Sequence, residues 1–183
     1  MLEWSQQNVE YLPFATLFLF TYIFLLRLPS EALPAVAGGE GCQEAQSVLT
    51  YEGEQVVLRL RSRKNKPAGS CLTRSCWCGT SAATCPVHVL GRWVQGKSPG
   101  EPLFPGISAG GAASRLKMML QAIGVARSHL YRTHDLRRGH AKDLQAAGGL
   151  FNVMHDCLYD SSHCQASLCG PSWRPENGAA RRF

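Results

Sequence analysis

From Tyr11 to Leu26 the chain runs for sixteen residues without a charge, and any fold it adopts must take that run out of water. Two structures can do so. A membrane span needs about 20 apolar residues. This run is shorter and contains Pro13, Thr16 and Thr21, so a buried helix fits it better and no membrane partner is expected. The apolar stretch stops at Arg27, and Pro29 follows. Residues 5 to 28 therefore read as a largely apolar core helix that delivers a cation to a site.

With 45% apolar and 17% charged residues in a 183-residue chain, one domain with a real core is expected. Lys and Arg number 19 against 13 Asp and Glu, a formal charge of +6. That balance favours polyanionic partners. The cations are clustered: Arg59, Arg61, Arg63, Lys64 and Lys66 form one group, and Arg127, Arg132, Arg137, Arg138 and Lys142 a second. The start Met1-Leu2-Glu3-Trp4 lacks the basic region of a signal peptide, so the eight cysteines are expected to be reduced intracellular thiols.

After a loop punctuated by Pro29, Pro34 and Gly41, the segments Ser47–Tyr51 and Val56–Arg61 read as a β-hairpin turning at Glu52-Gly53-Glu54. The second strand runs into a turn over residues 62–70 with lysines at its tip. Val87 to Gln95 reads as a short helix and Gly96 to Gly111 as a linker. Arg115 to Ile123 has helical periodicity, with Leu116, Met119, Leu120 and Ile123 on one side and Gly124 closing it.

A further helix is expected over residues 133 to 147, with Thr133 as N-cap and Gly148-Gly149 as its stop. His134 and Arg137, three residues apart, would share one face close to the positive end of the helix. Such a face suits a phosphodiester; an ordinary solvated basic face has the same pattern.

The order of these features resembles the catalytic domain of the tyrosine recombinases, the phage-integrase family, and most closely its eukaryotic, mobile-element-like members. The resemblance spans about residues 10 to 149. Leu25-Leu26-Arg27-Leu28-Pro29-Ser30-Glu31 matches the family's first arginine motif, with one extra residue before the glutamate. Arg63-Lys64-Asn65-Lys66 matches the lysine hairpin, and Thr133-His134-Asp135-Leu136-Arg137-Arg138-Gly139-His140-Ala141 the HxxR helix. The fold this implies is α+β: a mainly helical tyrosine-recombinase-like catalytic domain over residues 5–149, with a small antiparallel β-hairpin or sheet. Residues 150–183 are expected to form a divergent, poorly ordered tail.

In that family a tyrosine hydroxyl attacks a DNA phosphodiester and forms a covalent phosphotyrosyl enzyme. The resemblance implies that Arg27 and Arg137 clamp the phosphate, that Lys64 or Lys66 acts as general acid, and that His134 donates to phosphate or assists proton transfer. Arg59, Arg61, Arg63, Lys66, Arg132 and Arg138 would contact the DNA backbone. The reaction requires no cofactor. DNA and a homo-oligomer on DNA are the implied partners, and the implied location is intracellular, nuclear in a eukaryotic cell. Two family elements do not fall where they should. His155 and His163 bracket the position of a second histidine or tryptophan, and Trp173 lies beyond it. Tyr159, the only tyrosine after Arg137, sits ahead of the nucleophile position. The chain alone is therefore expected not to cleave DNA.

Cys71, Cys76, Cys78, Cys85 and His88 lie within eighteen residues, in the pattern C-x4-C-x-C-x6-C-x2-H. Zinc takes four thiolate or imidazole ligands in a tetrahedron, and five candidates are offered here. The spacing differs from paired CxxC motifs and C-x-C makes a tight chelate, so a structural zinc and a group of free thiols both remain open. A zinc-braced DNA-binding or interaction module without catalysis is the competing functional expectation.

Overall fold

The computed structural model describes residues 1–39, 46–63, 68–76, 78 and 82–146. Residues 5 to 28 are not one helix. A short helix α1 (Leu2–Gln7) ends at Asn8, a 3-10 turn covers Val9–Tyr11, and α2 (Leu12–Ile23) starts with Pro13 in its first turn. Proline is tolerated there because the first turn has no intrahelical partner for its missing N–H. α2 is apolar on all faces, and Leu17, Phe18 and Phe20 are fully buried. Its buried Thr16 and Thr21 hydroxyls donate back to Leu12 and Leu17 carbonyls, which removes the cost of burying them. Among the described residues no helix is long and apolar enough to cross a membrane.

α2 ends in a left-handed residue at Leu25, φ 55°, with the Leu26 N–H returning to the Thr21 carbonyl at 2.9 Å. This is a Schellman-type stop with leucine where glycine is usual. The left-handed conformation costs roughly 1–2 kcal/mol. Burial of the Leu25 side chain to 7% exposure is the compensating term. The chain then makes a π-helical turn, Leu28–Ala32, before entering the sheet.

The sheet has four strands in the order β1 (Val36–Ala37), β2 (Val48–Tyr51), β3 (Gln55–Leu60) and β4 (Ser70–Ser75). β2 and β3 form the expected hairpin, Tyr51 opposite Val56, with Gly53 in the turn. β3 and β4 are antiparallel from Gln55–Ser75 to Leu60–Ser70. The expectation of a purely antiparallel sheet is corrected at one edge, where β1 runs parallel to β2. β4 was not expected at all. Gly69, φ 83°, lets the chain approach the carbonyls of Leu60 and Arg61, where a β-carbon would collide with the Leu60 oxygen. Leu49, Val56, Leu58, Leu60 and Leu72 turn inward and Arg59 outward, the period-two alternation of a half-buried sheet.

α3 (Pro86–Gln95) packs against α2 and the sheet, its Gly91 lying on the Tyr51 ring. Trp93 stacks on Phe104 and donates its indole N–H to the Leu103 carbonyl at 2.9 Å, closing the loop that follows. α4 (Ala109–Ala122) begins earlier than its periodicity suggests, because Ser108 caps it by accepting the Gly111 N–H at 3.0 Å. After a second 3-10 turn, Ser128–Leu130, comes α5 (Thr133–Ala146). Thr133 is the first helical residue and not the cap; the Asp135 carboxylate folds back to accept the Arg132 N–H at 2.8 Å. The fold is thus α+β, with one core joining α2, the inner sheet face, α3 and α4.

Candidate nucleic-acid interface and metal centre

The turn after α2 is built around Glu31, which is 5% exposed. One carboxylate oxygen accepts the Arg27 backbone N–H at 2.7 Å, and the other faces the Arg63 Nε at 3.3 Å. The π-helical turn sets Glu31 four residues after Arg27 so that its carboxylate reaches the N–H that opens the turn. Arg63 also donates from Nη2 to the Leu25 carbonyl at 3.2 Å. Arg74, on β4, donates from Nε to the Ile23 carbonyl at 3.0 Å and lies over the Phe24 ring. Two arginines from the sheet side thus satisfy carbonyls at the negative end of α2.

α5 seats on this same end of α2. Gly139 approaches the Tyr22 ring, His140 packs on it with centroids 4.5 Å apart, and the Tyr22 hydroxyl donates to Asp143. Burial, then the hydrogen bond to Asp143 and the charge of that carboxylate, raises the Tyr22 hydroxyl well above the ordinary phenol range. His140 is pushed down to about 4 by burial first, then by the Arg74 charge, with Asp143 opposing, and is neutral at pH 7. Its Nδ1 is buried without a hydrogen-bond partner among the described residues.

His134 is exposed in the first turn of α5 and Arg137 is half-buried one turn later. Arg27 is half-buried at the opening of the π-helical turn. Arg59, Arg61 and Arg132 are exposed, as is Arg138, which lies 3.7 Å from Asp135. Arg63 departs from its expected part as a DNA contact: its side chain is 9% exposed and engaged with Glu31. Lys64, Lys66 and Tyr159 lie outside the described residues, as do residues 150–183. Sequence reasoning missed Tyr22, Arg74, His140 and Asp143. Leu136, His140 and Asp143 recur at helical spacing, and two polar residues on that otherwise core-facing stripe were the available signal.

The cysteine cluster resolves into four ligands. Cys76 follows β4, Cys78 lies two residues on, Cys85 precedes α3, and His88 stands in the first turn of α3. One donor atom from each lies within 4.8 Å of all the others. Cys76 Sγ is 3.1 Å from Cys78 Sγ, 3.7 Å from Cys85 Sγ and 3.6 Å from His88 Nδ1, and Cys78 Sγ is 3.3 Å from His88 Nδ1. The Cys78 N–H points at Cys76 Sγ at 3.4 Å. The hydrogen bond with Cys76, then burial, pushes the Cys78 thiol up to about 12. Cys71 is not a member: it pairs with Arg59 inside the sheet, and five residues of extended strand put it roughly 16 Å along the chain from Cys76.

No protein-family model matches the chain, and neither a curated protein nor a solved structure is found similar to it.

Proposed function

We propose that the chain binds DNA as a partial tyrosine-recombinase-like domain, with the Arg27 turn and the His134–Arg137 face of α5 holding a phosphodiester. The observation that carries this reading is the seating of α5 on the end of α2 through Tyr22, five residues before Arg27. The last turn of α2, which leads to Arg27, and the helix that carries His134 and Arg137 thereby belong to one packed unit. Arginine offers planar, paired donors to a phosphate. These groups bind and polarise a phosphate; none of them supplies an attacking hydroxyl. The chain alone is accordingly read as a DNA-binding partner in recombination or integration and not as a complete strand-transferase.

The Cys76, Cys78, Cys85 and His88 cluster favours a second reading, a module braced by structural zinc that binds DNA without strand-exchange geometry. A binding assay separates the two. Under the first, a four-way junction or nicked duplex binds more tightly than intact duplex, and Arg137→Ala weakens junction binding by roughly 10- to 100-fold, the worth of a charge-assisted hydrogen bond. A nicked suicide substrate traps no covalent adduct. Equal affinity for junction and duplex, unaffected by Arg137→Ala in a folded variant, overturns the first reading in favour of the second. A covalent adduct lost in Tyr159→Phe overturns the claim that the chain cannot cleave.

A further inference from the structure

A tetrahedral zinc ion has thiolates at about 2.3 Å and imidazole nitrogen at about 2.0–2.1 Å, which sets sulfur–sulfur edges near 3.8 Å and sulfur–nitrogen edges near 3.5 Å. The closest contacts in the cluster are 3.1, 3.7, 3.6 and 3.3 Å, and no pair exceeds 4.8 Å. Four donors from two separate parts of the fold therefore already stand at the corners of a coordination sphere, needing shifts of about 1 Å or less to meet one ion. A disulfide would instead bring two sulfurs to about 2.05 Å and leave the remaining thiol and imidazole without a partner.

We infer that Cys76, Cys78, Cys85 and His88 form a structural zinc site that clasps the end of β4 to the start of α3. Zinc is the ion this donor set selects: three soft thiolates and an imidazole in a closed tetrahedron leave no open position for catalysis. Local structure supports each ligand. Cys85 and His88 sit three residues apart across the start of α3, so they face the same side. The Cys78 N–H directed at Cys76 Sγ donates to the sulfur and so stabilises a metal-bound thiolate there. The Cys76 N–H donates to the Glu54 carbonyl at 2.6 Å, extending the ladder beyond β4.

The position explains what the ion is for. β4 is an edge strand, hydrogen-bonded on one side only, and just one of its residues, Leu72, is a buried hydrophobic. Cys85, in contrast, is 7% exposed and belongs to the main core. A metal bridging the two ties the end of this edge strand to the main core. This inference takes up the metal of the second reading above and is independent of DNA binding.

The test uses the full chain, produced reduced in zinc-supplemented medium and read by native mass spectrometry with elemental analysis. One zinc per chain is expected. Cys71→Ser keeps it, whereas Cys78→Ser and His88→Ala lose it. Cobalt(II) in place of zinc should give the intense thiolate charge-transfer and visible bands of a tetrahedral site. Hydrogen exchange after chelation should quicken at residues 70–76 and 85–89 ahead of α2. A folded wild-type chain at its apo mass, or two mass units lighter from a disulfide, overturns the site. So does zinc retained at full stoichiometry in both ligand variants, or an octahedral cobalt spectrum. Because the wild-type chain alone gives the stoichiometry, unfolding of a variant leaves the test intact. DNA affinity enters none of these measurements, so failure of either reading is distinguishable from failure of the other.

Discussion

Removing the charge of Glu31 is the sharpest perturbation of the framework under the proposed phosphate surface. Its carboxylate and the Arg63 guanidinium are 4% and 9% exposed and 3.3 Å apart. At an effective dielectric constant of about 20, their attraction is roughly 5 kcal/mol, against which the desolvation of both charges must be set. Removing one partner leaves the other charge buried and unmatched, a loss of about 3–5 kcal/mol. Glu31→Gln keeps an oxygen for the Arg27 N–H and should fall at or below the low end, about 2–3 kcal/mol. Glu31→Ala gives up that hydrogen bond as well and should lose about 1 kcal/mol more. A domain of this size is stable by about 5–15 kcal/mol, so either change is a large fraction of the whole. The assay is equilibrium urea unfolding followed by far-ultraviolet circular dichroism, with a double-mutant cycle against Arg63→Met. Replacing both partners by apolar residues, Glu31→Leu with Arg63→Met, should recover most of the loss. A Glu31→Gln variant within about 0.5 kcal/mol of the wild type, or a coupling energy that small in the cycle, would refute the reasoning.

Acid should weaken the seat of α5. His140 is neutral in the fold down to about pH 4, held there by burial and by Arg74 against the pull of Asp143, beside the Tyr22 ring. An unfolded chain protonates it near pH 6.5. The unfolded state therefore binds the extra proton first, and stability is lost as pH falls from about 6.5 towards 4. Allowing for partial exposure, about 1 kcal/mol should disappear between pH 7 and pH 5. His140→Phe should flatten that part of the profile of urea midpoints; an unchanged slope would remove His140 as its source. Gly91→Ala places a β-carbon 2.6 Å from Tyr51 ring atoms and should cost about 1–3 kcal/mol. Pairing it with Tyr51→Leu should restore the urea midpoint, and a neutral single variant would show that the ring can move aside.

Legibility in the sequence followed the strength of local pattern. The β2–β3 hairpin and α3, α4 and α5 were readable because alternation, helical spacing and Gly124 speak locally. The run from Tyr11 to Leu26 was not, because apolar residues on every face carry no period to mark where a helix breaks. Its helix starts with Pro13 in the first turn and stops at a leucine in the left-handed conformation, the latter visible only once its side chain is buried. β4 was illegible for a different reason. Ser70-Cys71-Leu72-Thr73-Arg74-Ser75 has little strand character of its own, and pairing with β3 makes it a strand. That same register removed Cys71 from the metal set, a distinction that cysteine spacing alone could not make. The bond from the Arg27 N–H to the Glu31 carboxylate was equally hidden, because it depends on a π-helical turn that local residue pattern does not announce.

Six of the described arginines divide into two populations that a net charge cannot tell apart. Arg63 and Arg74 are turned inward, onto the carbonyls of Leu25 and Ile23, where they neutralise the end of α2 and fix the segment leading to Arg27. Arg59, Arg61, Arg132 and Arg138 are exposed and can release counterions from a nucleic acid backbone. The first population carries stability with little effect on the salt dependence of binding, and the second the reverse. The formal +6 therefore overstates the charge available to a polyanion, while the inward pair does something the exposed ones cannot. It fixes the segment leading to Arg27 beside a buried carboxylate, the preorganisation on which the proposed phosphate site depends.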